Sequence, residues 1–122
     1  MTVAELYERM EGDYQAALRV MMADSMIGRM IRMFPADGSC AKLLSAGEAM
    51  DAAGLFESAH ALKGLSGSLG LMKMSSMASE MCEDFRPGRE RKMTDGEVRE
   101  RLDSIRALYE KIVGAIREFE AQ

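Results

Sequence analysis

The sequence TDGEVRERLDSIRALYEKIVGAIREFE, residues 94 to 120, is the clearest indication of the fold class because its apolar residues keep a helical period throughout. They recur at alternating steps of four and three residues, which places them on one face of an α-helix. These positions are Val98, Leu102, Ile105, Tyr109, Ile112, Ile116 and Phe119. Thr94 and Glu97 have capping-box spacing, so we expect a helix over residues 95–120. One narrow apolar face on a long helix is typical of an antiparallel bundle.

Helix breakers divide the rest of the chain into further helical segments. Thr2 and Glu5 form a second capping-box pair, Asp13 can cap the next helix, and Pro35 ends it. The expected ranges are 3–10, 14–34, 40–49, 52–69 and 73–85. Short connections favour up-and-down packing. We therefore predict an all-α fold, an up-and-down antiparallel four-helix bundle with one or two short accessory helices.

Length and composition agree with one helical domain over residues 1–122. The 122 residues fall below the ~150 typical of a single domain. Four Val, five Ile and two Thr are few β-branched residues for a sheet protein. The net charge of −4 argues against nucleic acid as a partner, because phosphate binding requires a basic surface.

The chain also lacks signals for export or membrane insertion. No apolar run approaches the ~18 residues of a membrane span, and the N-terminus has no apolar signal-peptide core. We therefore expect a cytoplasmic protein that does not enter a membrane. Cys40 and Cys82 are too few for a disulfide framework or a zinc site, and we interpret them as reduced packing residues.

The only histidine lies in the segment SAHALKGLSGSLG, residues 58 to 70. On a helical wheel of about 100° per residue, four leucines lie opposite His60, so the imidazole is expected to face solvent. These leucines are Leu55, Leu62, Leu65 and Leu69. The expected neighbours of His60 on the outer face are Phe56, Lys63, Gly64, Gly67 and Leu71.

This outer face has the properties of a phosphoryl acceptor. Gly64 and Gly67 each cost a helix about 1 kcal/mol relative to alanine, and they clear the surface for another macromolecule. A neutral imidazole is a nucleophile near pH 7. Lys63, one turn from His60, can offset the charge of a bound phosphoryl group. A surface histidine without any such role remains the alternative interpretation of the geometry.

The block His60-Ala-Leu-Lys63-Gly64-Leu-Ser66-Gly-Ser-Leu-Gly70 resembles the signature of histidine-containing phosphotransfer (Hpt) domains. That signature is a His, a variable residue, an aliphatic residue, Lys-Gly, a variable residue, Ser or Ala, and a Gly four residues further on. Every position matches. The resemblance covers most of the chain, although Met81-Cys82-Glu83 replaces the Leu-Glu often found in the helix after the signature.

The resemblance implies a four-helix bundle that relays phosphoryl groups. Its partners would be receiver domains of response regulators or hybrid histidine kinases. It implies that His60 is the phosphorylated nucleophile, Lys63 the charge partner of the phosphate, and Gly64 the small residue that admits the receiver. The other expected docking positions are Phe56, Gly67 and Leu71.

The sequence contains no ATP-binding loop, so we expect no autonomous kinase activity. We expect no cofactor and no metal site in this chain, and Mg²⁺ on the partner receiver. A monomer is expected, and Met1 with the complete last helix favours a free-standing protein over a domain of a hybrid kinase. The rival hypothesis is a module that docks on a receiver or kinase without carrying phosphate.

Two features allow more than one interpretation. The methionines of residues 14–34 either fill the core or form an adaptable apolar patch beside His60. A basic cluster before the last helix is either a solvated loop or a contact for an acidic partner. That cluster comprises Arg86, Arg89, Arg91 and Lys92.

Overall fold

The computed structural model describes all 122 residues, which form seven α-helices and no strand. The helices are α1 (Val3–Arg9), α2 (Tyr14–Met21), α3 (Asp24–Ile31), α4 (Ser39–Glu48), α5 (Ala52–Ser68), α6 (Met72–Asp84) and α7 (Asp95–Glu120). A short 3-10 helix, Phe34–Ala36, lies between α3 and α4. The all-α prediction is confirmed. No helix combines the length and the apolar character that crossing a bilayer requires.

Helices α4 to α7 form the four-helix bundle. Helix α5 packs between α4 and α6, and α7 closes the ring against both α4 and α6. Contacts across α5 and α6 run antiparallel, because His60 meets Cys82 whereas Lys63, later on α5, meets Ser75, earlier on α6. All seven helices contribute side chains to one apolar core. The predicted antiparallel bundle is confirmed.

The helix ends follow local sequence signals closely. Helix α7 has the predicted bounds, α1 and α5 end one residue earlier than predicted, and α4 and α6 are each shifted by one residue toward the N-terminus. Both capping boxes form, with the hydroxyls of Thr2 and Thr94 accepting backbone N–H bonds from Glu5 and Glu97. Each cap satisfies backbone donors that the first helical turn leaves without partners.

The single helix expected over residues 14–34 is wrong. Met22 has φ +73°, a left-handed conformation that ends α2, and α3 begins at Asp24. The carboxylate of Asp24 accepts a hydrogen bond from Tyr14 Oη at 2.5 Å, which fastens the two helices across the break. Three short helices, α1 to α3, therefore accompany the bundle instead of one or two.

The N-terminal segment is joined to the end of α5 by two hydrogen bonds. The Asp13 N–H donates to the Gly70 carbonyl at 2.7 Å, and Tyr7 Oη donates to the Leu69 carbonyl at 2.6 Å. Gly70 has φ +76°, and a Cβ there would lie 2.9 Å from both Ala17 Cβ and the Asp13 carbonyl. Only glycine fits this position. The last residues of the signature segment therefore have a structural function.

Candidate functional site

Because one face of α5 is buried in the bundle, the side chain of His60 on the opposite face points to solvent. Leu55, Ala59 and Leu62 are buried against the bundle, and the His60 side chain is exposed on the other side of the helix. The predicted solvent-facing orientation of the imidazole is confirmed. Leu65, which the wheel placed in the core, is only half-buried.

Two side chains hold the imidazole ring. Phe56, one turn earlier on α5, stacks on it with 6.0 Å between ring centroids and 25° between planes. Cys82 of α6 is fully buried, and its Sγ lies 3.9 Å from Nδ1 of His60. Nδ1 therefore faces the protein, and Nε2 is the ring nitrogen available to an external group. Residue spacing alone does not indicate this Cys82 contact, since the contact depends on the register between two helices.

Lys63 supplies an unpaired positive charge beside His60. It lies one turn further along α5, is half-buried, and forms none of the ion pairs in the structure. Its main-chain carbonyl accepts a hydrogen bond from Ser75 Oγ of α6 at 3.1 Å, which fixes this turn of α5. Burial raises the pKa of the Cys82 thiol, and the positive charges of Lys63 and Arg86 act in the opposite direction.

The basic cluster is exposed but largely paired with local acids. Glu83 bonds Arg86 at 2.6 Å and Arg89 at 3.1 Å, and Arg91 bonds Asp95 at 2.5 Å. The hydrogen bond from Arg86 lowers the pKa of Glu83. The cluster is therefore neither a purely solvated loop nor an unpaired positive patch.

The two glycines predicted beside His60 differ in their surroundings. Gly64 is exposed, and a Cβ added there would meet no atom within 4 Å. The fold thus gives no reason for glycine at this position. Gly67 is half-buried, and a Cβ there would lie 3.3 Å from Ser75 Oγ, so close packing of α5 on α6 favours glycine.

Leu71 does not belong to the exposed face. It is fully buried at the start of α6, whereas α5 already ends at Ser68. The positive φ of Gly70 turns the chain, so the helical wheel of α5 does not extend to residue 71. The expected docking contribution of Leu71 is therefore wrong. Phe56, in contrast, is half-buried and keeps part of its ring at the surface beside His60.

Four methionines of residues 14–34 are exposed and do not fill the core. Helix α3 packs on α1 and α2, and its Gly28 faces Phe119 near the end of α7. The exposed residues are Met22, Met26, Met30 and Met33. A shallow depression next to Lys63 is instead bordered by Met72 of α6, together with Ser75, Ser76, Ser79, Glu80 and Glu83. The one apolar side chain that borders this depression thus comes from α6.

The structure contains no group of three or more His, Cys, Asp or Glu side chains placed to hold a metal ion. The face around His60 presents an exposed imidazole and the positive charge of Lys63, with a bare helix surface at Gly64.

Among comparisons with known proteins, only the one with protein-family models found a match. No curated protein and no solved structure matches the chain. The protein-family model described as Hpt domain matches residues 3–115 of the 122. The match takes in all of α1 to α6 and most of α7, including the block from His60 to Gly70. Hpt domains are phosphotransfer modules of two-component signalling that normally act with receiver domains and histidine kinases. The chain therefore belongs to the Hpt domain family.

Proposed function

We propose that this protein carries a phosphoryl group on His60 between receiver domains of a phosphorelay. The observation that supports this most directly is the exposed imidazole, oriented by Phe56 and Cys82 so that Nε2 is free. Lys63 places an unpaired ammonium one turn away. A partner can approach closely because Gly64 has no side chain.

The transfer is an in-line displacement at phosphorus. The lone pair of His60 Nε2 attacks the aspartyl phosphate of the receiver, the N–P bond forms, and the P–O bond to the aspartate breaks. The carboxylate of the receiver leaves with the electron pair. The positive charge of Lys63 offsets charge on the phosphoryl group in the transition state and in the product. Because the same groups act in reverse, phospho-His60 can return the phosphoryl group to a second receiver.

The receiver supplies the remaining groups. We place the Mg²⁺ and the acidic pocket on the partner, and we expect no ATP-dependent labelling of this chain alone. We further propose that the protein acts as a monomer in the cytoplasm, where its two cysteines remain thiols. Light scattering of the purified chain, with and without a receiver, tests the monomer.

The test is transfer from receiver domains that have been phosphorylated with radiolabelled acetyl phosphate. The wild type should acquire acid-labile, alkali-stable label, and His60→Gln should acquire none while keeping the helical circular dichroism of the wild type. Label on His60→Gln would contradict the assignment. Tight binding of a receiver without labelling of the wild type would instead support the docking module that does not carry phosphate.

A further inference from the structure

We propose that Arg86 is a second phosphate-binding residue for phospho-His60, and that it pairs with Glu83 as long as the ring is unphosphorylated. This inference rests on the proposed function of His60. It assigns a function to one member of the basic cluster that the carrier mechanism does not otherwise use.

The register between α5 and α6 places Arg86 near the imidazole. His60 faces Cys82, and one turn away Phe56 of α5 faces Arg86, which follows the end of α6. The Arg86 guanidinium lies 5.5 Å from the Phe56 ring centroid, and the Phe56 ring stacks on His60 at 6.0 Å. Arg86 is thus about one helical turn, roughly 5.4 Å along the axis, from the level of His60.

Two positive charges therefore flank His60 from opposite directions. Lys63 follows it along α5, and Arg86 lies level with Phe56, which precedes it. Both side chains are long enough to bend toward a group on Nε2 that extends from the ring. A guanidinium can donate two parallel hydrogen bonds to phosphate oxygens, which an ammonium cannot.

The present pairing of Arg86 permits such a movement. Glu83 accepts bonds from Arg86 at 2.6 and 3.3 Å and from Arg89 at 3.1 Å. If Arg86 turns to a phosphoryl group, Glu83 keeps Arg89 as its partner and is not left unpaired. All three side chains are substantially exposed, so the exchange requires no burial of charge. A phosphoryl group with about two negative charges competes well with one carboxylate for Arg86.

The experiment measures the equilibrium of phosphoryl transfer between a receiver domain and this protein, with the Arg86→Gln and Arg89→Gln variants compared. Arg89 is the matched control, because it shares Glu83 but forms no cation–π pair with Phe56. Arg86→Gln should shift the equilibrium away from phospho-His60 by about two- to fivefold, as expected for an exposed ion pair. Arg89→Gln should leave this equilibrium unchanged.

The Glu83→Gln variant provides a second comparison, because it frees Arg86 from its ion pair. It should shift the transfer equilibrium toward phospho-His60, and the double variant with Arg86→Gln should lose that gain.

A second measurement separates phosphate binding from receiver docking. The side-chain Nε–H resonance of Arg86 should shift on phosphorylation of the isolated protein, and the affinity of Arg86→Gln for an unphosphorylated receiver should match the wild type. Equal equilibria for the two Arg variants, or reduced docking of Arg86→Gln, would overturn the inference and leave His60 as the carrier. Absence of label on the wild type would overturn both proposals.

Discussion

At Gly64, helix stability favours alanine, whereas access of a partner to His60 favours a residue without a side chain. A methyl group at this exposed position meets no other atom, so Gly64→Ala should raise the free energy of unfolding by about 1 kcal/mol. The same methyl group occupies the surface that a receiver must approach. We expect the variant to be more stable in thermal melts and to accept phosphate about tenfold more slowly.

Gly114 provides the control for this substitution. It lies within α7, is exposed, and likewise has no atom within 4 Å of an added Cβ. Gly114→Ala should therefore give a similar gain in stability and leave the transfer rate unchanged. Equal transfer rates for both variants would show that Gly64 does not lie under the docked receiver.

Ser66 is a second residue of the signature whose side chain can be tested. Its Oγ is buried and has no hydrogen-bond partner. An unsatisfied buried hydroxyl costs about 1 kcal/mol or more, and alanine removes it without changing the backbone. Ser66→Ala should equal or exceed the wild type in urea unfolding. A loss of stability on this substitution would mean that the hydroxyl has a partner, such as a buried water.

Among the elements that surround the site, the loop that follows α6 is fixed by Asp84. Its carboxylate is buried and accepts backbone N–H bonds from Lys92 at 2.8 Å and Met93 at 3.1 Å. Asp84→Ala leaves both donors without this partner, and we expect it to lower the free energy of unfolding by about 2 kcal/mol. Asp84→Asn keeps one side-chain oxygen as an acceptor, so its free energy of unfolding should lie between those of the wild type and Asp84→Ala.

Urea unfolding of the wild type, Asp84→Ala and Asp84→Asn measures the contribution of this carboxylate to stability. The side chain of Arg86 reports whether the loop is still ordered. Because the loop carrying Arg86 begins directly after α6, Asp84→Ala should also broaden the Arg86 side-chain resonance. An alanine variant as stable as the wild type would mean that other contacts hold the loop.

The sequence predicts elements well where their signals are local. The period of α7 and its capping box gave the correct bounds, and the wheel of α5 gave the correct direction of His60. The break at Met22 could not be predicted, because no Gly or Pro marks it and the contacts of α3 with α1 are not revealed by local residue spacing. Leu71 was misassigned for a related reason, since a helical wheel applies only within a helix.

Contacts between helices of the bundle lie beyond what a single sequence reveals. The pairing of Cys82 with His60 and of Arg86 with Phe56 depends on how far α5 is shifted along α6. Residue spacing within one helix contains no such information. The nucleophile and its neighbours on α5 could therefore be predicted, whereas the groups that α6 contributes could not.

The bundle should lose stability in alkali through Cys40. Burial raises the pKa of this thiol from 9.0 to about 11. The thiol ionises at a lower pH in the unfolded chain than in the folded one. The contribution of Cys40 to the free energy of unfolding should therefore be intact below pH 9. It should fall as the pH rises toward 11, by at most about 1.4 kcal/mol per pH unit.

Urea titrations between pH 8 and pH 11 measure this slope, and Cys40→Ser should flatten it even if the variant is less stable at every pH. Tyr7 adds to the loss above pH 10, because burial raises its pKa as well. A Cys40→Ser slope equal to that of the wild type would assign the alkaline loss to Tyr7 and the remaining groups.

The buried sulfur of Cys82 also restricts which isomer of phosphohistidine can form. A phosphorus atom bonded to Nδ1 would need the space between that nitrogen and Sγ, which are 3.9 Å apart. Cys82 is fully buried in the apolar core, so displacing its sulfur would disturb the packing of that core. Phosphorylation should therefore yield a single regioisomer, the Nε2 form, which nitrogen NMR of the imidazole distinguishes from the other. Replacing Cys82 with alanine should open the space for a minor Nδ1 product.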